Sequence, residues 1–117
     1  MASFKQGDVI KVPFPYTDRS TRQSRPALVV SAGDLEDAHG LLWVVMITSA
    51  ANRGWAGDVV VSNLATAGLP VESVIRTAKI ATIEASDAEK LGKLSAAQFR
   101  QVSARLGQLL KIDSLVG

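Results

Sequence analysis

The chain has 117 residues, no cysteine and a formal net charge of +2, with 47% hydrophobic and 21% charged residues. That length suits one domain with its own core, and the missing cysteine excludes disulfides and thiolate chemistry. The longest apolar run, Leu41 to Ile47, is far too short to cross a bilayer, and the opening MASFKQGD has no apolar segment of the secretory kind, so the expectation is a soluble cytoplasmic protein.

In chain order, the alternation in DVIKV predicts a short strand over 8–12, with Val9 on one side, Ile10 and Val12 on the other, and Lys11 outward. The prolines of PFPYTD end it. Residues 13–25 then read as a long polar loop, of a length that is usually functional or disordered. From Lys5 to Arg25 the cations are Lys5, Lys11, Arg19, Arg22 and Arg25, against Asp8 and Asp18 alone. Such a basic stretch suits a phosphate-rich partner, or simply a solvated surface.

Ala27–Ser31 and Leu41–Thr48 are continuous apolar, β-branched runs, which predicts two buried strands joined by a turn-rich connection with at most one helical turn. Arg25 stands at the loop-to-strand junction, held extended by the following Pro26. NRGWAG (52–57) is a connection, and a strand follows at Asp58–Ser62. AGLP (67–70) is a turn. Val74–Ile75 and Lys79–Ile83 read as two short strands. Two capping-box patterns, Ser86 with Glu89 and Ser95 with Gln98, predict two helix starts. The second opens a helix whose apolar face is Phe99, Val102, Leu106, Leu109 and Leu110. The order, strands first and a helix last, predicts a mainly β fold: a small, strongly bent sheet or barrel with a C-terminal helix packed on it.

Elimination narrows the chemistry. One histidine, His39, cannot supply a histidine acid–base pair from one chain, and in DAHG it reads as a solvated loop residue. The acids are scattered, and no glycine-rich phosphate loop, nucleophile elbow or metalloprotease signature is present. Any catalysis must therefore use arginine, hydroxyls and backbone dipoles. If the strands starting near Arg25 and ending at Thr48-Ser49 pair antiparallel, Arg25 and Thr48 meet at one rim. There a guanidinium fork and a hydroxyl fit a phosphoryl group in its charged transition state. Read singly, Thr48 is an ordinary strand terminus.

GDVIKVPFPYTD (7–18), RPALVVS (25–31), WVVMITS (43–49) and SVIRTAKIATIE (73–84), in this order and spacing, resemble the successive signature blocks of the MazF/PemK toxins of type II toxin–antitoxin systems. The resemblance covers nearly the whole chain. It implies a single domain over 1–117 with an SH3-like curved β-barrel, the fold shared by CcdB, MazF and Kid, acting as a homodimer. It also implies a metal-independent endoribonuclease of single-stranded RNA without cofactor. In such enzymes the 2′-hydroxyl attacks the adjacent phosphorus, leaving a 2′,3′-cyclic phosphate and a 5′-hydroxyl. Arg25 and Thr48 match the family's catalytic arginine and phosphate-binding threonine. By the same resemblance Ser49, Arg76 and Lys79 are RNA-binding candidates, joined by the loop residues Phe14, Tyr16, Arg19 and Arg22, of which the aromatics are suited to stacking on unpaired bases. Trp55 is suited to the same stacking, and is assigned to the cognate antitoxin. Phe14 has a core reading as well, and Arg76 and Lys79 a salt-bridged one. One departure is chemical: the loop DRSTRQS has no acid after Asp18, where many members carry a glutamate. The alternatives on this fold are a CcdB-like gyrase poison that cleaves nothing, and a non-catalytic RNA-binding module.

Overall fold

A computed structural model describes residues 2–13, 24–52 and 54–112. Phe14, Tyr16, Arg19 and Arg22 lie outside the described residues. The architecture is a curled six-stranded antiparallel sheet, a half-barrel, with a C-terminal helix. Its elements are β1 (Asp8–Pro13), β2 (Ser24–Val29), α1 (Gly33–His39), β3 (Leu41–Ser49), β4 (Val59–Val60), α2 (Leu64–Ala67), β5 (Ser73–Glu84), β6 (Glu89–Lys93) and α3 (Ala96–Leu110). The strand order is β4-β5-β3-β2-β1-β6. No helix among the described residues is long and apolar enough to cross a membrane.

The central strands are continuous apolar runs because both faces of the sheet are covered. Val9, Leu28, Val45, Ile47 and Ile75 point into one buried cluster, where Val102 of α3 joins them. Ile10, Val12, Ala27, Val29, Val44 and Met46 alternate into a second cluster on the other face, closed by Leu42, Ile83 and Ala85. The predicted split of Val9 from Ile10 and Val12 is therefore the division between two cores, while Lys11 is exposed.

Several boundaries depart from the sequence-based expectation. β2 begins at Ser24, with Ser24 opposite Pro13 and Arg25 opposite Val12, so Arg25 belongs to the β1–β2 ladder and does not precede it. Pro26 is tolerated there because the ladder to β3 starts only at Ala27. The 32–40 connection holds a seven-residue helix, α1, ended by Gly40 in the left-handed region at φ 68. The strand expected at 58–62 shrinks to Val59–Val60. The two short strands expected at 74–75 and 79–83 are one twelve-residue strand, β5. Its register against β3 jumps from Val45↔Ile80 to Met46↔Arg76, so Thr77, Ala78 and Lys79 bulge out of the ladder.

The first capping box is also overridden. Ser86 lies in a single 3₁₀ turn, Ala85–Asp87, and Glu89 opens β6, which pairs along β1. Tertiary packing explains the choice: a Cβ on Gly92 of β6 would run into the backbone of Thr66 and Ala67, and one on Gly68 into the backbone of Leu91. Backbone-to-backbone contact between α2 and β6 closes the half-barrel there, and only glycine permits it. A helix at 86–92 would leave the β1 edge unpaired.

The second capping box is half used. The Ser95 hydroxyl accepts from the Gln98 backbone N–H at 3.2 Å and caps α3. The Gln98 side chain turns away from the cap. Buried, it accepts from Ser62 N–H (2.9 Å) and donates to the Val60 carbonyl (2.8 Å), lending the short β4 a hydrogen-bonding partner. Along α3 the expected apolar face holds for Val102, Phe99 and Leu106. Leu109 and Leu110 are exposed, since the last turn runs past the sheet.

Candidate active site

Two of the predicted site residues arrive together because of register. β2 and β3 pair as Ala27↔Met46, Leu28↔Val45 and Val29↔Val44. Continued two residues beyond the ladder, that register brings Arg25 opposite Thr48. Both residues line one cleft of about 410 Å³ at the end of the sheet. Lys11 and Arg25 supply two cations to its wall, and Thr48, Ser49, Asn52 and Ser73 supply polar groups; Leu69, Val71 and Leu91 make the apolar side. Arg25 is half-buried. Thr48 is buried at 6% exposure. A larger cavity of about 500 Å³ lies beside α1, where Asp34, His39 and Trp43 face it and no lysine or arginine is among the lining residues. Only the first has the charge to hold an anion.

The Thr48 hydroxyl accepts a hydrogen bond from the Asn52 side-chain amide at 3.1 Å. The Ser49 hydroxyl accepts from Ala51 N–H at 3.2 Å, forming the turn into the 3₁₀ segment Ala50–Asn52. Ser73 spends its proton on the Val71 carbonyl at 2.7 Å.

Arg76 and Lys79 form a second cluster, outside the cleft. The Arg76 side chain is 7% exposed, and its guanidinium grips Asp58 with two nitrogens, Nε at 3.1 Å and Nη2 at 2.7 Å. Nη2 also donates to the Asn52 carbonyl at 2.7 Å. The indole of Trp55 covers the group, with the guanidinium carbon 4.3 Å from the ring centroid. Nε and Nη2 are thus engaged by Asp58 and a carbonyl, the salt-bridged arrangement that the sequence offered for Arg76 beside RNA contact, and they tie Asn52 and Asp58 to β5. The Asp58 hydrogen bond, helped by the carboxylate's charge and opposed by desolvation, raises the Arg76 pKa above its ordinary value. On the alkaline side, the stability this contributes is present below the ordinary arginine range and is lost only above it. Lys79, on the β5 bulge, places its ammonium 5.7 Å from the Trp55 ring centroid. Trp55 remains 47% exposed.

Lys11 and Asn52 were not singled out from the sequence. Lys11 had a signal, as one member of the basic N-terminal stretch. Asn52 had none, since an asparagine in a turn-forming connection reads as turn chemistry. Among the described residues, no group of three or more His, Asp or Glu side chains converges on a metal-binding point.

The model of the PemK-like, MazF-like toxins of type II toxin–antitoxin systems matches residues 5–110. The chain belongs to this toxin family. Solved structures agree in fold. A crystal structure of MazF from Deinococcus radiodurans is 26% identical, with 92% of this chain and 96% of that one covered at a TM-score of 0.74. A mycobacterial endoribonuclease in complex with its cognate antitoxin is 16% identical, with 98% and 100% coverage and a TM-score of 0.73. The Mycobacterium tuberculosis toxin MazF-mt6 is 22% identical, with 92% and 99% coverage and a TM-score of 0.72. No curated protein matches the chain. The toxin is thus a member of the PemK-like, MazF-like family of type II toxin–antitoxin systems, and its half-barrel with a C-terminal helix is the MazF fold.

Proposed function

We propose that this toxin cleaves single-stranded RNA in the Arg25–Thr48 cleft, by attack of a ribose 2′-hydroxyl on the adjacent phosphorus. The 2′-oxygen–phosphorus bond forms as the phosphorus–5′-oxygen bond breaks. The 2′-hydroxyl proton leaves to solvent and the departing 5′-oxygen takes one up, so the ends are a 2′,3′-cyclic phosphate and a 5′-hydroxyl. The observation that carries this reading is the convergence of two cations and a buried hydroxyl on one cleft. Negative charge grows on the phosphoryl oxygens in the transition state, and preoriented donors stabilise it there more than in the ground state. Arg25 acts by charge and hydrogen bonding. A guanidinium holds its proton too firmly to act as a base, and the loop carries no acid after Asp18 to take that part. Thr48 donates its hydroxyl to a phosphoryl oxygen.

Lys11 and Lys79 extend the positive surface along which the RNA backbone runs, with Ser49 at the cleft edge. Phe14, Tyr16, Arg19 and Arg22 are assigned to the same strand of RNA on sequence grounds. The toxin acts as a homodimer in the cytoplasm and is neutralised by a cognate antitoxin, for which the half-exposed Trp55 is the contact. Complexes of MazF with MazE among the similar structures support that partner class.

The chemistry is tested with the purified protein and a long unstructured transcript whose cut sites are mapped. Cleavage is expected to continue in EDTA and to yield 5′-hydroxyl ends. A short RNA carrying 2′-deoxyribose at the mapped site is expected to be inert. Its cleavage, or loss of activity on chelation, overturns the mechanism.

A further inference from the structure

The connection after β3 contains a hydrogen-bonded relay that ends on the candidate catalytic hydroxyl. A primary amide nitrogen only donates, so in the Asn52–Thr48 contact the threonine oxygen is the acceptor. A hydroxyl that accepts from Asn52 keeps its single O–H as a donor. That is the one role the phosphate requires of it, since phosphoryl oxygens only accept. Free rotation about the Cβ–Oγ bond would otherwise let the proton settle on any nearby carbonyl, with no donor left for the substrate. The backbone that carries this amide is itself held. Arg76 Nη2 donates to the Asn52 backbone carbonyl at 2.7 Å, Asp58 grips the same guanidinium, and Trp55 lies over it. Asn52 also lines the cleft beside Thr48.

We infer that Asn52 is a positioning residue, whose amide fixes the Thr48 hydroxyl as a donor toward the scissile phosphate, and that the buried Arg76–Asp58 pair holds Asn52 in place for this task. The inference rests on the role given to Thr48 above. It gives the second arginine cluster a catalytic purpose without contact to RNA. It also explains why a connection of turn-forming residues is braced by a buried ion pair.

The test is steady-state cleavage of a short RNA containing the mapped site, by wild type, Asn52→Ala, Thr48→Val and the double variant. Asn52→Ala keeps the backbone carbonyl that Arg76 holds, so its melting temperature is expected to match wild type. Its kcat is expected to fall about tenfold, the scale of one transition-state hydrogen bond, with KM within about twofold. In the Thr48→Val background the same substitution should change nothing further. Asn52→Asp offers the hydroxyl only an acceptor, which captures its proton, and is expected to be slower than Asn52→Ala except when Thr48 is already valine. Wild-type kcat in Asn52→Ala beside an impaired Thr48→Val overturns the positioning role while leaving the Thr48 reading intact. So does an effect confined to KM, or an undiminished effect in the valine background. A fully active Thr48→Val overturns the reading of Thr48 and this inference with it.

Discussion

Arg25 and Arg76 flank the same strand. Arg76 is opposite Met46 on one side of β3, and Arg25 comes level with Thr48 on the other, two residues along. Both are strand arginines beside apolar runs, and residue type and local pattern alone do not rank them. Their surroundings separate them. Arg76 is buried, shares two hydrogen bonds with Asp58, donates to a carbonyl and is covered by an indole. Arg25 is half-buried on the wall of a cleft that also holds Lys11 and Thr48. An arginine paired inside the fold is suited to bracing it, whereas one that lines a cleft beside a second cation is suited to receiving an anion.

The largest expected effect removes the receptor. Arg25→Ala should lower RNA cleavage by at least about a thousandfold, the scale for losing a guanidinium from a phosphoryl transition state. Its melting temperature should stay within about 3 °C of wild type, as for substitutions outside the core. Cleavage at the wild-type rate would transfer the phosphate site elsewhere. Next comes the brace. Arg76→Ala leaves Asp58 buried without its partner and should cost about 3 kcal/mol, at the low end for one-sided loss of a buried pair because Trp55 faces solvent. In a melting experiment that is a fall of roughly 10–15 °C for a chain of this size. Arg76→Lys should recover little, since an ammonium cannot make the two-pronged grip on Asp58 and reach the Asn52 carbonyl as well. An Arg76→Ala variant as stable as wild type but unable to bind RNA would reverse the comparison. The smallest effect sharpens the cleft. Thr48→Val keeps the buried, branched shape and loses the hydroxyl, so kcat should fall about ten- to a hundredfold with stability little changed. Unchanged turnover would leave Thr48 as a strand terminus.

Much of the fold was legible because the signals were local. The period-two alternation at 8–12 separates two cores, and the Ser95 cap with Phe99, Val102 and Leu106 marks the terminal helix. The failures share one cause. Ser86-x-x-Glu89 is a sound local helix start, but the open edge of β1 and the close approach of Gly68 and Gly92 make a strand the better choice. Val74–Ile75 and Lys79–Ile83 looked like separate strands because the bulge at 77–79 breaks their alternation without breaking the chain's direction. Gln98 looked like half of a capping box and instead completes the hydrogen bonding of β4.

The candidate site divides in the same way. By itself the sequence determined the family blocks and the basic N-terminal stretch, and it brought Arg25 to Thr48 on the condition that the two apolar runs pair antiparallel, as a single connection between neighbouring strands favours. Only the tertiary structure decided that Arg76 pairs with Asp58, that Lys11 joins Arg25 in the cleft, and that Asn52 reaches Thr48. Those outcomes depend on pairs distant in sequence, such as Asp58 with Arg76 (2.7 Å), and on the turn that brings the Asn52 amide to Thr48. Side-chain commitments of that kind are set by which groups folding leaves within hydrogen-bonding distance, and residue type and spacing carry no record of them.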